Sequence, residues 1–237
     1  MRSRSYARTA PSLRGVPEER WRIVPNGVDA ARFSARGPAN PGQYLLVVGR
    51  LVPYKGMATL LHALARLGRD APPLVLAGDG PLRTQLQSLA GTLRVDAQFL
   101  GRVPDEALPA LYRGARLTVL PSVNRQEAFG IALVESMACG TPVVASRLPG
   151  VEEVAAEGGL LAEPGDAASL ADAVARALEP GALPRGEPLA ERIRARYDWP
   201  VVAGRMLEVY EEVLGLAPRQ GRREVVQPAR AGGHSVL

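Results

Sequence analysis

From residue 44 to residue 179 short apolar runs alternate with longer amphipathic stretches. The apolar runs are YLLVVG (44–49), PLVLAG (73–78), DAQFLG (96–101), RLTVLPS (116–122), PVVAS (142–146) and GGLLAE (158–163). Between them lie GMATLLHALARLG (56–68), PLRTQLQSLAG (81–91), DEALPALYRGA (105–115) and FGIALVESMACG (129–140), with DAASLADAVARALE (166–179) after the last. Strand, helix, strand in this order is the rhythm of a parallel sheet. The pattern predicts an α/β fold: a doubly wound, mainly parallel, Rossmann-like sheet of about six strands with helices on both faces. Two further helices are expected near 187–197 and 199–215. Local signals place the helix ends. Pro81 suits a first turn, Asp79, Asp105 and Asp166 read as N-caps, and Gly140 closes its helix.

Charge separates the ends from the middle. Residues 1–20 carry five arginines and two glutamates, and residues 216–237 carry four arginines and one glutamate, within a net charge of +5. The segment between them is nearly neutral, so the excess is not the footprint of a nucleic-acid-binding domain, and no nucleic-acid partner is expected. Aromatics are not interleaved with these arginines, as single-strand binding would need. Residues 1–20 read as a linker, and 216–237, rich in Pro, Gly and Arg, as a disordered basic tail. Such a tail is solvated or makes weak peripheral contact with an anionic membrane. One cysteine, Cys139, leaves no internal disulfide, and the two histidines, His62 and His234, lie far apart, so no metal site is expected. With no apolar leader and no membrane-spanning run, a cytoplasmic location is expected.

In an open α/β sheet, ligands bind beyond the carboxyl ends of the strands. Here those ends carry GRLVPYKG, GDGP, GRVPDE, PSVNRQEAFG and SRLPG. The first holds Lys55, the one lysine among 29 basic residues. Gly49 lets backbone approach a ligand, and Arg50 and Lys55 place two cations before a helix start, where free N–H groups and the helix dipole favour an anion. They are phosphate partners or solvated loop charges; no P-loop pattern is present. GDGPLR (78–83) is not a dinucleotide fingerprint, because Arg83 stands where a third glycine is needed. In EAFGIALVE (127–135), Glu127 precedes a helix and Glu135 lies about two turns into it, with Phe129, Gly130 and Ile131 between. Carboxylates beside an anion site suit sugar hydroxyls, since each accepts from two adjacent OH groups. Glu127 as a cap and Glu135 as an exposed helix residue is the other reading.

VPNGVDAARF (24–33), VVGRLVPYKG (47–56), LAGDGPLR (76–83), FLGRVPDEALPALYRGA (99–115) and PSVNRQEAFGIALVESMACGTPVVAS (121–146) occur in one order. With them residues 21–215 resemble the C-terminal, nucleotide-sugar-binding domain of GT-B fold, family 4 retaining glycosyltransferases; Glu127 and Glu135 match the family's E-x7-E motif. The resemblance implies that Arg50 and Lys55 hold the donor diphosphate and Glu127 binds the transferred sugar. Glu135 would bind the ribose, Arg102 and Val103 would lie against the base, and Phe129, Gly130 and Ile131 would offer main-chain contacts. It implies no metal and no cofactor beyond the nucleotide-sugar donor, and makes Cys139 a packing residue. It also implies an acceptor-binding domain that these residues do not contain. The acceptor part would be a separate domain or chain, and the last helices would expose Val202, Met206, Val209 and Val213. Two alternatives stay open: a non-catalytic nucleotide-sugar-binding or interaction module, and Lys55 as a Schiff-base lysine for pyridoxal phosphate.

Overall fold

A computed structural model describes residues 7–8, 10–37 and 44–216. Six strands form one sheet: β1 (Tyr44–Val48), β2 (Leu74–Ala77), β3 (Ala97–Gly101), β4 (Ala115–Leu120), β5 (Val143–Ser146) and β6 (Gly159–Ala162). Their spatial order is β3-β2-β1-β4-β5-β6, and all five pairings are parallel. The order turns back at β1 and β4, which puts a crevice beyond their carboxyl ends.

Eight helices accompany the sheet among the described residues. They are α1 (Met57–Leu67), α2 (Arg83–Leu93), α3 (Leu108–Gly114), α4 (Ile131–Ala138), α5 (Val151–Ala155), α6 (Ala167–Leu178), α7 (Glu187–Tyr197) and α8 (Trp199–Leu214). The strand pleat sends alternate side chains to opposite faces. Leu45 and Val47 therefore join Leu60, Leu64, Leu86 and Val174 under α1, α2 and α6. Leu46 joins Tyr112, Leu133, Val154 and Ile193 under α3, α4, α5 and α7. Both faces of the sheet are covered, which accounts for strands apolar at nearly every position.

Several local expectations are corrected. Asp79 does not cap α2: its Oδ1 accepts from the N–H of Gly80 at 2.8 Å, and the residue before α2 is Leu82. Pro81 lies in the turn before that helix, whose entry is set by Leu82 N–H donating to Leu51 O at 3.1 Å. Asp105 opens a 3-10 turn, Asp105–Ala107, capped by Pro104 without a side-chain bond, and faces Arg32 at 3.8 Å. Helix α5, which follows Gly150, is not among the helices expected from the sequence. Asp166 does cap α6, accepting from Ala168 and Ser169 at 2.8 and 3.0 Å, and Gly140 closes α4 with φ 78°.

The two ends of the described chain meet. Val28 N–H donates to Tyr197 O at 2.7 Å, Trp199 N–H donates to Val28 O at 3.1 Å, and Ala30 N–H donates to Asp198 Oδ1 at 3.2 Å. Gly27 lies so close beneath the Trp199 indole that a Cβ there would fall 2.5 Å from the ring. Arg22 and Glu212 form a further ion pair between the N-terminal segment and α8. In the linker region, 3-10 turns run over Pro11–Leu13 and Glu18–Arg20, and Arg8 pairs with Glu18 at 3.0 Å. The tail expected over 216–237 lies, from 217 onward, outside the described residues. On α8, Val202 is 2% exposed and packed inward, against expectation, whereas Met206, Leu207, Tyr210, Val213 and Leu214 are exposed. Among the described residues no helix is long and apolar enough to cross a membrane.

Candidate functional site

The loops beyond β1, β2 and β4 are drawn together by backbone contacts that leave no room for side chains. Gly78 (φ 149°) lies against Gly49, where a Cβ would fall 1.9 Å from the carbonyl oxygen, and Gly80 approaches Leu51 O in the same way. Gly56 (φ 69°) lies against Pro121, where a Cβ would again fall 1.9 Å from the carbonyl oxygen. Val123 N–H donates to Tyr54 O at 2.8 Å, tying the segment after β4 to the loop after β1.

This stitching brings Lys55 onto Glu127. The Lys55 ammonium donates to Glu127 Oε2 at 2.6 Å, and the two side chains are only 15% and 12% exposed. The Ser122 hydroxyl donates to the same oxygen at 3.3 Å, and Gly130 N–H donates to Oε1 at 3.1 Å. The carboxylate is thus held from three sides at the start of α4. Lys55 also lies 5.6 Å from the centroid of the Tyr54 ring, within cation–π range. Gly49 faces it: a Cβ there would come within 3.7 Å of the ammonium. Arg50, the last residue before this loop turns, is exposed.

Glu135 forms a second polar centre. The Tyr112 hydroxyl, wholly buried, donates to Glu135 Oε2 at 2.8 Å. Burial pushes the Glu135 carboxyl above its ordinary range, the Tyr112 bond and the Arg32 charge pull it back, and Asp105 adds to the rise. Burial, then the Glu135 charge and bond, push the Tyr112 hydroxyl well above its ordinary value. Phe33 stands edge-on to Tyr112 at 6.0 Å, and Arg32 lies 5.0 Å over the Phe33 ring. Arg102 is exposed, while Val103 is half-buried against the core.

The remaining expected positions divide by role. The Phe129 ring is buried edge-on to Tyr197 at 6.2 Å, so only its main chain can face a ligand. Gly130 (φ 77°) starts α4 between Leu120 and Leu133, and Ile131 exposes its side chain. Cys139 is buried and its thiol is pushed up to about 12, chiefly by burial, which suits packing and not nucleophilic attack. His62 is exposed on α1. Among the described residues no group of His, Cys, Asp and Glu could hold a metal ion. Tyr112, Ser122 and Arg32 carry no local sign of a binding role in the sequence, and only the fold brings them to the two glutamates. A cavity of about 580 Å³ lies elsewhere, between the N-terminal segment on one side and α5, the end of α7 and Arg205 of α8 on the other, with Glu153, Arg196 and Arg205 mixed along its wall.

The rim beyond β1 and β4 offers the Lys55 ammonium, the exposed Arg50 and two separate carboxylates, a set that suits a ligand carrying both phosphate and hydroxyl groups. The sequence profile of the family described as "Glycosyl transferases group 1" matches residues 31–196. The phosphatidyl-myo-inositol mannosyltransferase of Mycobacterium leprae is 40% identical over 206 residues, covering 80% of this chain and 53% of that protein. The glycogen synthase of Mycobacterium tuberculosis is 37% identical over 212 residues, covering 85% and 50%. Among solved structures, sucrose-phosphate synthase from Thermosynechococcus elongatus superposes with a TM-score of 0.75 at 30% identity, over 91% of this chain and 58% of that one. Anabaena HepE in complex with UDP-glucose superposes with a TM-score of 0.68 at 25% identity, over 85% and 59%. The chain spans about half the length of the curated relatives it matches.

Proposed function

Because the chain belongs to the glycosyl transferases group 1 family, we propose that it is the donor-binding half of a nucleotide-sugar-dependent, retaining hexosyltransferase. The observation that carries this reading is the pairing of Lys55 with Glu127 at 2.6 Å on the rim beyond β1 and β4, with Glu135 eight positions on. The similarity of the fold to HepE with UDP-glucose supports it.

In this reading Arg50 and Lys55 face the diphosphate. As the bond between the sugar and the diphosphate lengthens, negative charge grows on the leaving oxygen, and fixed cations in a half-buried loop stabilise it more than water would. No divalent ion and no further cofactor enters the reading. Glu127 takes hydroxyls of the transferred sugar, and Glu135, set by Tyr112, takes the ribose diol. The main chain at Gly49 and at Phe129, Gly130 and Ile131 lies close to phosphate and sugar, and Arg102 and Val103 flank the base. The acceptor is held by a domain or chain beyond these residues, and the reaction takes place in the cytoplasm. No observation on the described residues favours the pyridoxal alternative.

Calorimetric titration with UDP-, GDP- and ADP-sugars tests the proposal. One of them is expected to bind, and Lys55→Ala to weaken that binding about tenfold or more, ~1.4 kcal/mol. No heat with any of the three would overturn it. Binding that never leads to transfer or donor hydrolysis, with any acceptor fraction, would favour the binding-module alternative.

A further inference from the structure

We propose that Glu127 discriminates against the free nucleoside diphosphate: its carboxylate competes with phosphate for Lys55, and only a donor that carries its sugar relieves the competition. The inference rests on the donor-site reading above and gives that site a means of separating substrate from product.

Lys55 is the residue most enclosed among the cations assigned to phosphate, and its ammonium already donates to Glu127 Oε2 at 2.6 Å. Glu127 cannot withdraw freely. Gly130 N–H holds Oε1 at 3.1 Å, and the Ser122 hydroxyl touches Oε2 at 3.3 Å. A diphosphate brought to Lys55 therefore arrives beside a fixed negative carboxylate. With both side chains largely withdrawn from solvent, the repulsion between the two anions is poorly screened.

The two ligands differ in what they offer Glu127. A nucleotide sugar brings hydroxyl groups, which donate to a carboxylate and make the enforced proximity favourable. A nucleoside diphosphate without its sugar brings no such donor on that side and adds negative charge. The same carboxylate thus favours the ligand before transfer and opposes it afterwards. Ser122 and Gly130 act here as positioning groups, since they keep the carboxylate facing Lys55.

The test uses the full 237-residue chain and calorimetry with UDP, GDP and ADP and with UDP-glucose, GDP-mannose and ADP-glucose. The pair of ligands that wild type binds best is carried forward. Glu127→Gln keeps an acceptor for Gly130 N–H and removes the charge. It is expected to bind the free diphosphate about tenfold tighter than wild type, and the sugar-bearing donor no tighter. The ratio of the two affinities would shift by about tenfold or more toward the free diphosphate. Glu127→Ala is expected to shift in the same direction, and thermal unfolding shows that each variant is folded. Free diphosphate bound no more tightly by either folded variant would overturn the inference, while a weakening by Lys55→Ala would leave the donor-site reading standing. If Lys55→Ala has no effect on either ligand, the donor-site reading falls and this inference falls with it.

Discussion

Glu135 is the residue at which burial and function pull in opposite directions. Its carboxyl is largely withdrawn from water, and burial raises its proton affinity in the folded chain above the ordinary value of 4.5. A raised folded value means that the folded state binds the proton more tightly than the unfolded state. The resulting stabilisation is present below the unfolded value and is lost as pH rises through the folded one. Glu135→Gln carries no such proton, and its amide oxygen can still accept from Tyr112. The variant is therefore expected to gain stability on wild type as pH goes from about 4 to about 7, read from urea midpoints across that range. A difference that stays constant with pH would count against this account. If Glu135 serves the ribose, the same variant loses affinity for the nucleotide, so stability and binding move in opposite directions.

At the scale of elements, the site depends on where backbone passes close to backbone. Gly56 combines φ 69° with a Cβ position 1.9 Å from Pro121 O. Gly56→Ala is expected to cost about 3 kcal/mol or more, from strain and the clash together, and to separate Lys55 from Glu127. Gly91 is the opposite case, inside α2 with nothing within 4 Å of the place a methyl group would take. Gly91→Ala is expected to stabilise by about 0.5–1 kcal/mol. Equilibrium unfolding in urea measures both, and equal effects would contradict the assignment. Most elements were legible in the sequence because their signal is local: YLLVV and LVLA are short apolar runs with glycine after each, and Asp166 precedes a plain amphipathic helix, whereas α5, five residues long, carries too short a pattern to show. The misassigned caps, Asp79 and Asp105, show where local signals end. An aspartate near a helix start caps it only if its side chain reaches the free N–H groups of the first turn, and here Asp79 turns to Gly80 N–H and Arg83 while Asp105 faces Arg32 from elsewhere in the chain. The ion pair between Lys55 and Glu127 spans 72 residues. Each residue was expected on its own to face a ligand, but nothing local indicates that they hold each other.

For the whole molecule, the contrast is between a sheet covered on both faces and a last helix covered along one line. Val202 is 2% exposed, while Leu207 and Val213 are 60% and 73% exposed. Val202→Ala is expected to cost about 1–3 kcal/mol, whereas Leu207→Gln and Val213→Gln should each stay within about 0.5 kcal/mol, by chemical denaturation of the same chain. A large loss at Leu207 or Val213 would show that this face is covered in solution. The joint between Val28 and Tyr197–Trp199 has a mechanical consequence for the molecule as a whole. It short-circuits the chain: tension applied between the N-terminal segment and α8 runs through Val28 and Trp199 and bypasses the sheet lying between them in sequence. The strands carry load only after those few hydrogen bonds shear, so a pull on either end is felt at the outlying Arg22–Glu212 pair and then at this clasp while Lys55 and Glu127 remain slack.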